Sequence, residues 1–338
     1  MDTRRRWVRF ALTVVATGVV LVVGVGLLDE IDWDGVRSSL ARLEAWQFVL
    51  LALGLLLRQY LNALPLALFI EGCSSWRALQ NDQAAILMTT VAPPPADYVM
   101  RFAIFSSWGI PLAAAVAGSV MNTLSFYVVR FGAPVLGSVL MLWLGTFHPG
   151  ELFAALPSMA VSVAILAALW LAFRGEAFTA GLAHRAGDLV GRVRSQVSGG
   201  AWSAWAVDFR RQVVGRVPWA LPRSLLALLA MVLVDAALLT AALRCVGVDA
   251  GQVPAIEVFV AFLVAYPLTL FPFSGVGILD AVVVATLLQV GTNVYEEGLV
   301  AGFVVWRVVT LGGPILMGLA SLALWKWQVL RRPATPAG

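Results

Sequence analysis

Histidine, cysteine and charge are all scarce in this chain, and each scarcity excludes a class of function. Two histidines (His148, His184) and two cysteines (Cys73, Cys245) occur in 338 residues. None of the four stands near another in ligand spacing, so no metal centre, disulfide framework or cofactor is expected. Charged residues make up 12% of the chain against 60% hydrophobic, whereas a soluble domain carries roughly a quarter charged residues. No serine, histidine and acid come together, and no soluble stretch is large enough to hold an active site, so an enzyme is not expected.

Apolar runs of helical length fill the chain instead. Trp7–Leu28, Glu151–Phe173 and Ser224–Leu243 each approach the ~20 residues that cross a hydrocarbon core of ~30 Å. They do not alternate as barrel strands do. Arg4, Arg5 and Arg6 precede the first run, as in a signal peptide. Its apolar stretch is too long for one, and no small-residue cleavage site occurs before Asp29, so it reads as a retained span. The fold class expected is all-α, a polytopic transmembrane bundle.

The formal charge of +4 is spread between spans and not gathered on one soluble face, which argues orientation and not a nucleic-acid partner. Basic segments lie at Arg4–Arg9, from Arg174 to Arg223, and at Lys326 with Arg331 and Arg332. The acidic loop Asp29–Glu44 fits the outside. Both termini are then expected on the cytoplasmic side of a bacterial-type plasma membrane. In the segment 174–223, Arg185, Arg192, Arg194, Arg210, Arg211 and Arg216 interleave with Trp202 and Trp205. That is an amphipathic pattern suited to the headgroup layer, either as an anchor or as a means of gathering anionic lipid.

Two apolar stretches cannot be plain spans. Gln83–Ile110 contains Pro93, Pro94 and Pro95, and Pro254–Gly291 contains Pro267, Pro272, Gly275 and Gly277. Proline removes a backbone donor and clashes with the preceding turn, so both helices break. Broken backbone at membrane depth survives only where protein buries it or a watery cavity receives it. The residues after the two breaks run in the same order. The first break leads to Asp97, a short apolar helix, Trp108-Gly109, a helix to Arg130, then Gly132-Ala133-Pro134. The second leads to Asp280, a short helix, Val290-Gly291, a helix to Arg307, then Gly313-Pro314. Hence two repeats are expected, at about 46–147 and 224–330, within one membrane domain spanning 1–332, with 333–338 a disordered tail. The charge of their flanks makes each cross an odd number of times in opposite directions, which is the inverted build of secondary transporters.

Ionisable residues in apolar segments cost roughly 2.5–3.5 kcal/mol each on insertion scales and so are functional candidates. Arg58, Asp97, Arg101, Arg130, Asp235, Glu257, Asp280, Glu296, Glu297 and Arg307 qualify. Asp97 and Arg101 are four apart and share a helix face. They read either as a dipole-stabilising carboxylate with its partner or as a cation in a half-helix mouth, its guanidinium fork facing a phosphate. Arg307 is expected to neutralise Asp280 or Glu257 across the repeat interface, with Arg130 in the matching place. Arg58 and Asn62 share a face one turn apart. Asp235 and Glu257 are available to carry a coupled proton.

Pro93–Arg101 with Trp108-Gly109, and Pro272–Asp280 with Arg307 and Gly313-Pro314, resemble the transmembrane region of lysylphosphatidylglycerol synthases, a module that also occurs alone among flippase-like membrane proteins. In that family the first motif is similar to a proline loop followed by glycine, an acid and an arginine; Ala96 replaces the glycine, while Asp97 and Arg101 match. The second is similar to proline, a small residue, paired glycines, another glycine and a glutamate. Here Ser274-Gly275-Val276-Gly277 lacks one glycine and Asp280 is the shorter acid. With the chain ending at Gly338, no aminoacyl-transferase domain is expected. The resemblance implies movement of an anionic phospholipid or polyprenyl-linked lipid between leaflets, with Arg58, Asp97, Arg101, Arg130, Asp280 and Arg307 along the path. Pro93, Pro94, Pro95, Pro272, Gly275 and Gly277 would form the hinges. The alternatives are a non-transporting subunit that recruits a glycosyltransferase or lipid-modifying enzyme, and a membrane-embedded lipid-modifying enzyme.

Overall fold

The computed structural model describes residues 44–92, 95–144, 149–175 and 199–331, with a few positions between 180 and 188. The run Trp7–Leu28, Pro93, Pro94, His148, Arg192, Arg194 and the tail 333–338 lie outside the described residues. Those described are helical, with no strand among them. In order they are α1 (Ala45–Phe69), α2 (Ser75–Val91), α3 (Ala96–Ser107), α4 (Leu112–Leu144), α5 (Pro149–Arg174), α6 (Gly199–Val213), α7 (Val217–Cys245), α8 (Ala255–Ala265), α9 (Ile278–Val290), α10 (Glu296–Arg307) and α11 (Gly313–Leu330).

Among the described residues, six stretches are long and apolar enough to cross a membrane: Ala45–Phe69, Leu112–Trp143, Leu156–Phe173, Val217–Cys245, Pro272–Val290 and Glu296–Leu330. Pro272–Val290 is not one rod. Phe273, Ser274, Gly275 and Gly277 all have positive φ, at 53°, 58°, 74° and 81°, so regular helix resumes only at Ile278. The 13 residues of α9 reach about 20 Å at 1.5 Å per residue, short of the ~30 Å core. The 3₁₀ turn Tyr266–Leu270, which contains Pro267, ends the 11-residue α8 on the other side of the break. The first proline-rich stretch breaks as expected: α2 stops at Val91, Pro95 caps α3, and the two arms have 17 and 12 residues.

Contacts between loops show which ends of these helices lie together. Arg216, just before α7, reaches Glu71 after α1 at 3.3 Å. Arg77 at the start of α2, Trp108 at the end of α3 and Arg331 at the end of α11 line one cavity. At the opposite end, Thr292 N donates to Gln252 O at 2.9 Å and Gln252 Nε2 to Asn293 O at 3.2 Å. Thus α2 begins and α3 finishes at the basic end, while α8 begins and α9 finishes at the other.

α7 is the central helix. It packs along α1 and against α4, α8 and α10. Its Leu228, Met231, Val232, Leu239 and Leu243 join Phe262 of α8, Leu279 and Leu287 of α9, and Phe303 and Trp306 of α10 in the main core. α2 lies on α11, and α8 lies on α4. Lipid tails are as apolar as leucine, so burial alone does not bind helices to one another in a bilayer; close packing at small residues does. Gly318 of α11 shows it: a Cβ there stands 2.7 Å from Gln83 O and 2.6 Å from Leu87 Cβ, both in α2. Gly318→Val is therefore expected to prise α11 from α2 at a cost of about 1–3 kcal/mol, read as a lowered unfolding temperature of the detergent-solubilised chain.

Within the basic segment, the described residues Gly199–Val213 form the helix α6. α6 carries Arg210 and Arg211 in its last turn. Trp202 and Trp205 are exposed, and Trp205 stacks on Phe209 at 5.4 Å. Val213 is buried with Phe69, Met121, Leu169 and Ala220, which ties the helix to the bundle.

Candidate functional site

Arg58, Arg130 and Arg307 converge on one small cavity deep in the bundle, from α1, α4 and α10. Asp235, Tyr266, Ser274 and Trp306 complete most of its wall, and its volume is about 50 Å³. That is room for one or two waters, so a lipid headgroup enters only if the helices move apart.

Each cation is held differently. Arg58 Nη2 pairs with Asp235 Oδ2 of α7 at 2.9 Å, the carboxylate side chain being 4% exposed. Trp306 Nε1 donates to the other oxygen of the same carboxylate at 3.0 Å, so one aspartate ties α1, α7 and α10 together. Arg307 Nη2 and Nε grip Asp280 at 2.6 and 3.0 Å, and its Nη1 lies 3.3 Å from Ser274 O in the broken segment. Asp280 in turn accepts from Gly277 N at 3.0 Å. One carboxylate thus caps α9 and anchors an arginine at the start of the π-helical turn Val308–Gly312; such turns are frequent at functional sites. Arg130 has no carboxylate within 4 Å among the described residues. Its guanidinium lies over Phe126 at 4.5 Å and near Tyr127 at 5.5 Å, and its buried Nε has no acceptor. Three guanidinium groups therefore face two carboxylates, Asp235 and Asp280, leaving one uncompensated positive charge.

A second polar cluster adjoins the first through α1. Arg58 Nη1 donates to Gln59 at 2.7 Å, and Gln59 Nε2 donates to Gln83 of α2 at 3.0 Å. One turn along, Asn62 donates to Asp82 at 2.7 Å. Asp82 also takes Arg101 of α3 at 2.8 Å. Arg58 and Asn62 accordingly both make contacts across helices, as their shared face predicts.

One expectation is corrected. Arg101 does not pair with Asp97, its neighbour four residues back; it reaches across to Asp82. The reason is burial: the Asp82 side chain is 4% exposed, and a buried carboxylate left unpaired costs far more than one at a helix end. Asp97 stays half-buried in the first turn of α3, where the helix dipole favours a negative charge. Arg307 takes Asp280, one of its two expected partners, and not Glu257. Glu257 sits in the first turn of α8, near the loop end and away from this cavity.

Sequence reasoning missed Gln59, Asp82, Gln83, Tyr266 and Trp306. A signal for the α2 residues existed: Gln80-Asn81-Asp82-Gln83 is an unbroken polar run, and all four are at most 3% exposed. Cys73 borders this region, and burial pushes its thiol up to about 11, so it stays protonated and unreactive at neutral pH.

Against known proteins, the family model described as the lysylphosphatidylglycerol synthase transmembrane region matches residues 7–318. No curated protein and no solved structure matches.

Proposed function

The chain belongs to the lysylphosphatidylglycerol synthase transmembrane-region family, as a multi-pass membrane protein, and from that premise we propose that it moves an anionic phospholipid or polyprenyl-linked lipid between leaflets. The carrying observation is Arg130, a cation beside two paired arginines in a small cavity with no carboxylate of its own. A guanidinium fork matches a phosphate, and the ring beneath it holds its plane without neutralising it. An uncompensated charge at this depth is costly, and a lipid phosphate would offset it.

The helix arrangement supports alternating access. α2 and α3 leave and return at the basic end, and α8 and α9 do so at the other; we read both as re-entrant hairpins entering from opposite faces. α1 matches α7, and α4 matches α10 with α11. Each hairpin packs on the long helix of the other half, α2 on α11 and α8 on α4. Inverted halves with discontinuous helices meeting at a central site are the recurrent transporter build. Rocking one half against the other opens the ~50 Å³ cavity to either side in turn. On this reading the basic end, with both termini, faces the cytoplasm of a bacterial-type cell, and no bond is made or broken.

Reconstitution tests the proposal. Full-length chain in liposomes carrying a headgroup-intact fluorescent anionic phospholipid, or a polyprenyl phosphate, accelerates its exchange between leaflets. Arg130→Gln is expected to slow that exchange at least tenfold with little change in unfolding temperature, since Arg130 has no ion pair to lose. Protein-independent exchange of both lipid classes, or an Arg130→Gln variant as fast as the parent, defeats it. The subunit alternative draws on α6, whose exposed Trp202 and Trp205 could meet a membrane enzyme. Recovery of one transferase with the parent chain but not with Trp202→Ala/Trp205→Ala would favour that reading.

A further inference from the structure

At the basic end of the bundle lies a much larger cavity, of about 460 Å³, between the start of α2, the end of α3 and the end of α11. We propose that it is a second, surface-level site that seats the phosphate headgroup of an anionic lipid in the adjoining leaflet. The proposal stands apart from transport through the central cavity and does not need it.

Four features meet there. First, Arg77 and Arg331 line the cavity, and neither has a carboxylate within 4 Å among the described residues. Arg77 lies over Trp108 at 5.5 Å and Arg331 over Trp327 at 4.0 Å; the rings orient the guanidinium planes without neutralising them. Second, no acidic residue lines the cavity. Third, Ser74 and Trp76 place the N-terminal turn of the 17-residue α2 at its wall, where the helix dipole favours an anion, the Ser74 hydroxyl itself accepting from Arg77 N at 3.3 Å. Fourth, Gln80 lines the same cavity although it is only 3% exposed, and its Oε1 has no donor, while its Nε2 is spent on Ser321 O at 3.2 Å. A buried acceptor without a partner is costly, and a turn of the Gln80 side chain toward the basin lets a headgroup hydroxyl supply the missing donor. Tryptophans alone would mark an interface belt. A concave basin holding two unpaired cations, a helix N-terminus and an unmet acceptor is built for a ligand.

The central cavity has room for one or two waters, whereas this basin, at about 460 Å³, has the volume of a headgroup. Its cations stand at the start of α2 and the end of α11, which pack on one another, so an occupant bridges the two helices.

The test is native mass spectrometry of the full chain titrated in detergent with phosphatidylglycerol, with diacylglycerol and with inorganic phosphate as separate arms. Expected is a saturable adduct with phosphatidylglycerol that the double variant Arg77→Gln/Arg331→Gln weakens at least tenfold, while the unfolding temperature without lipid is unchanged. Arg130→Gln leaves this adduct in place, which separates the site from the central cavity and its transport reading. Gln80→Leu weakens it in part. Equal binding of diacylglycerol, full displacement by millimolar inorganic phosphate, or an adduct that survives in the double variant but is lost in Arg130→Gln would each overturn the proposal. Should the double variant be unstable, Arg77→Lys/Arg331→Lys keeps the charge and removes the fork, and retention of full affinity there also counts against it.

Discussion

Asp235→Ala is expected to destabilise the bundle by about 3–5 kcal/mol, the usual penalty for removing one partner of a buried ion pair. The pair is well placed to show it. The carboxylate receives Arg58 at 2.9 Å and Trp306 at 3.0 Å. Without it, a guanidinium 19% exposed has no counter-charge, and a buried indole N–H has no acceptor. Asp235→Asn keeps an acceptor for Trp306 and loses only the charge, so its cost is smaller. The double variant Arg58→Met/Asp235→Leu takes out both charges and is expected to recover most of the lost stability, because a buried pair often breaks even against apolar residues of similar size. Thermal unfolding of the parent, Arg58→Met, Asp235→Leu and the double variant in one detergent gives the coupling energy directly. If Asp235→Ala unfolds at the parent's temperature, the pair is not what joins α1, α7 and α10.

The same cycle separates scaffold from function. A pair kept only for stability could be exchanged for apolar residues without loss of lipid movement. If instead Arg58 releases Asp235 to meet a phosphate, the double variant folds and exchanges lipid no faster than empty liposomes. That outcome is the one expected, because Arg58 faces the same cavity as Arg130. Asp235, held between a cation and an indole donor, has no exposed position from which to pass a proton in this closed arrangement.

Much of the architecture was legible because proline and glycine act locally. Pro272, Gly275 and Gly277 dictate a break whatever surrounds them, and the backbone turns there with four positive φ values in five residues. The ion pairs were not legible, since partner choice is decided by which helices meet. Asp97 lay four residues from Arg101, yet the pairing went to Asp82, nineteen residues away, because α2 and α3 fold back on one another and bury that acid. Asp235 stood out as a charge in an apolar run, but nothing in its neighbourhood points to Arg58, 177 positions earlier by the numbering. Asp280 with Arg307 came closest to being legible: both stood out as charges in apolar runs, and the structure pairs them at 2.6 Å.

Gly275→Ala is expected to be among the most damaging single-atom changes in the chain, and Gly109→Ala provides its control. Both glycines have φ near +75°, at 74° and 77°, where an L side chain costs roughly 1–2 kcal/mol. They differ in space. A Cβ on Gly109 meets nothing within 4 Å, whereas one on Gly275 stands 2.5 Å from Leu268 O. That oxygen belongs to the 3₁₀ turn that ends α8, and it accepts from Phe271 N at 3.1 Å, so it cannot swing away without undoing the turn. Gly109→Ala should therefore lose only the conformational term, and Gly275→Ala that term plus a backbone displacement, for a total above ~3 kcal/mol. The displacement also reaches the site, because Ser274 O lies 3.3 Å from Arg307 Nη1 and moves with the segment. Lipid exchange should fall sharply in Gly275→Ala even at temperatures where it remains folded, and should stay near the parent rate in Gly109→Ala. Equal losses in the two variants would mean that the break at 272–277 is only a bend in the chain, and that the grip of Arg307 on it has no part in moving lipid.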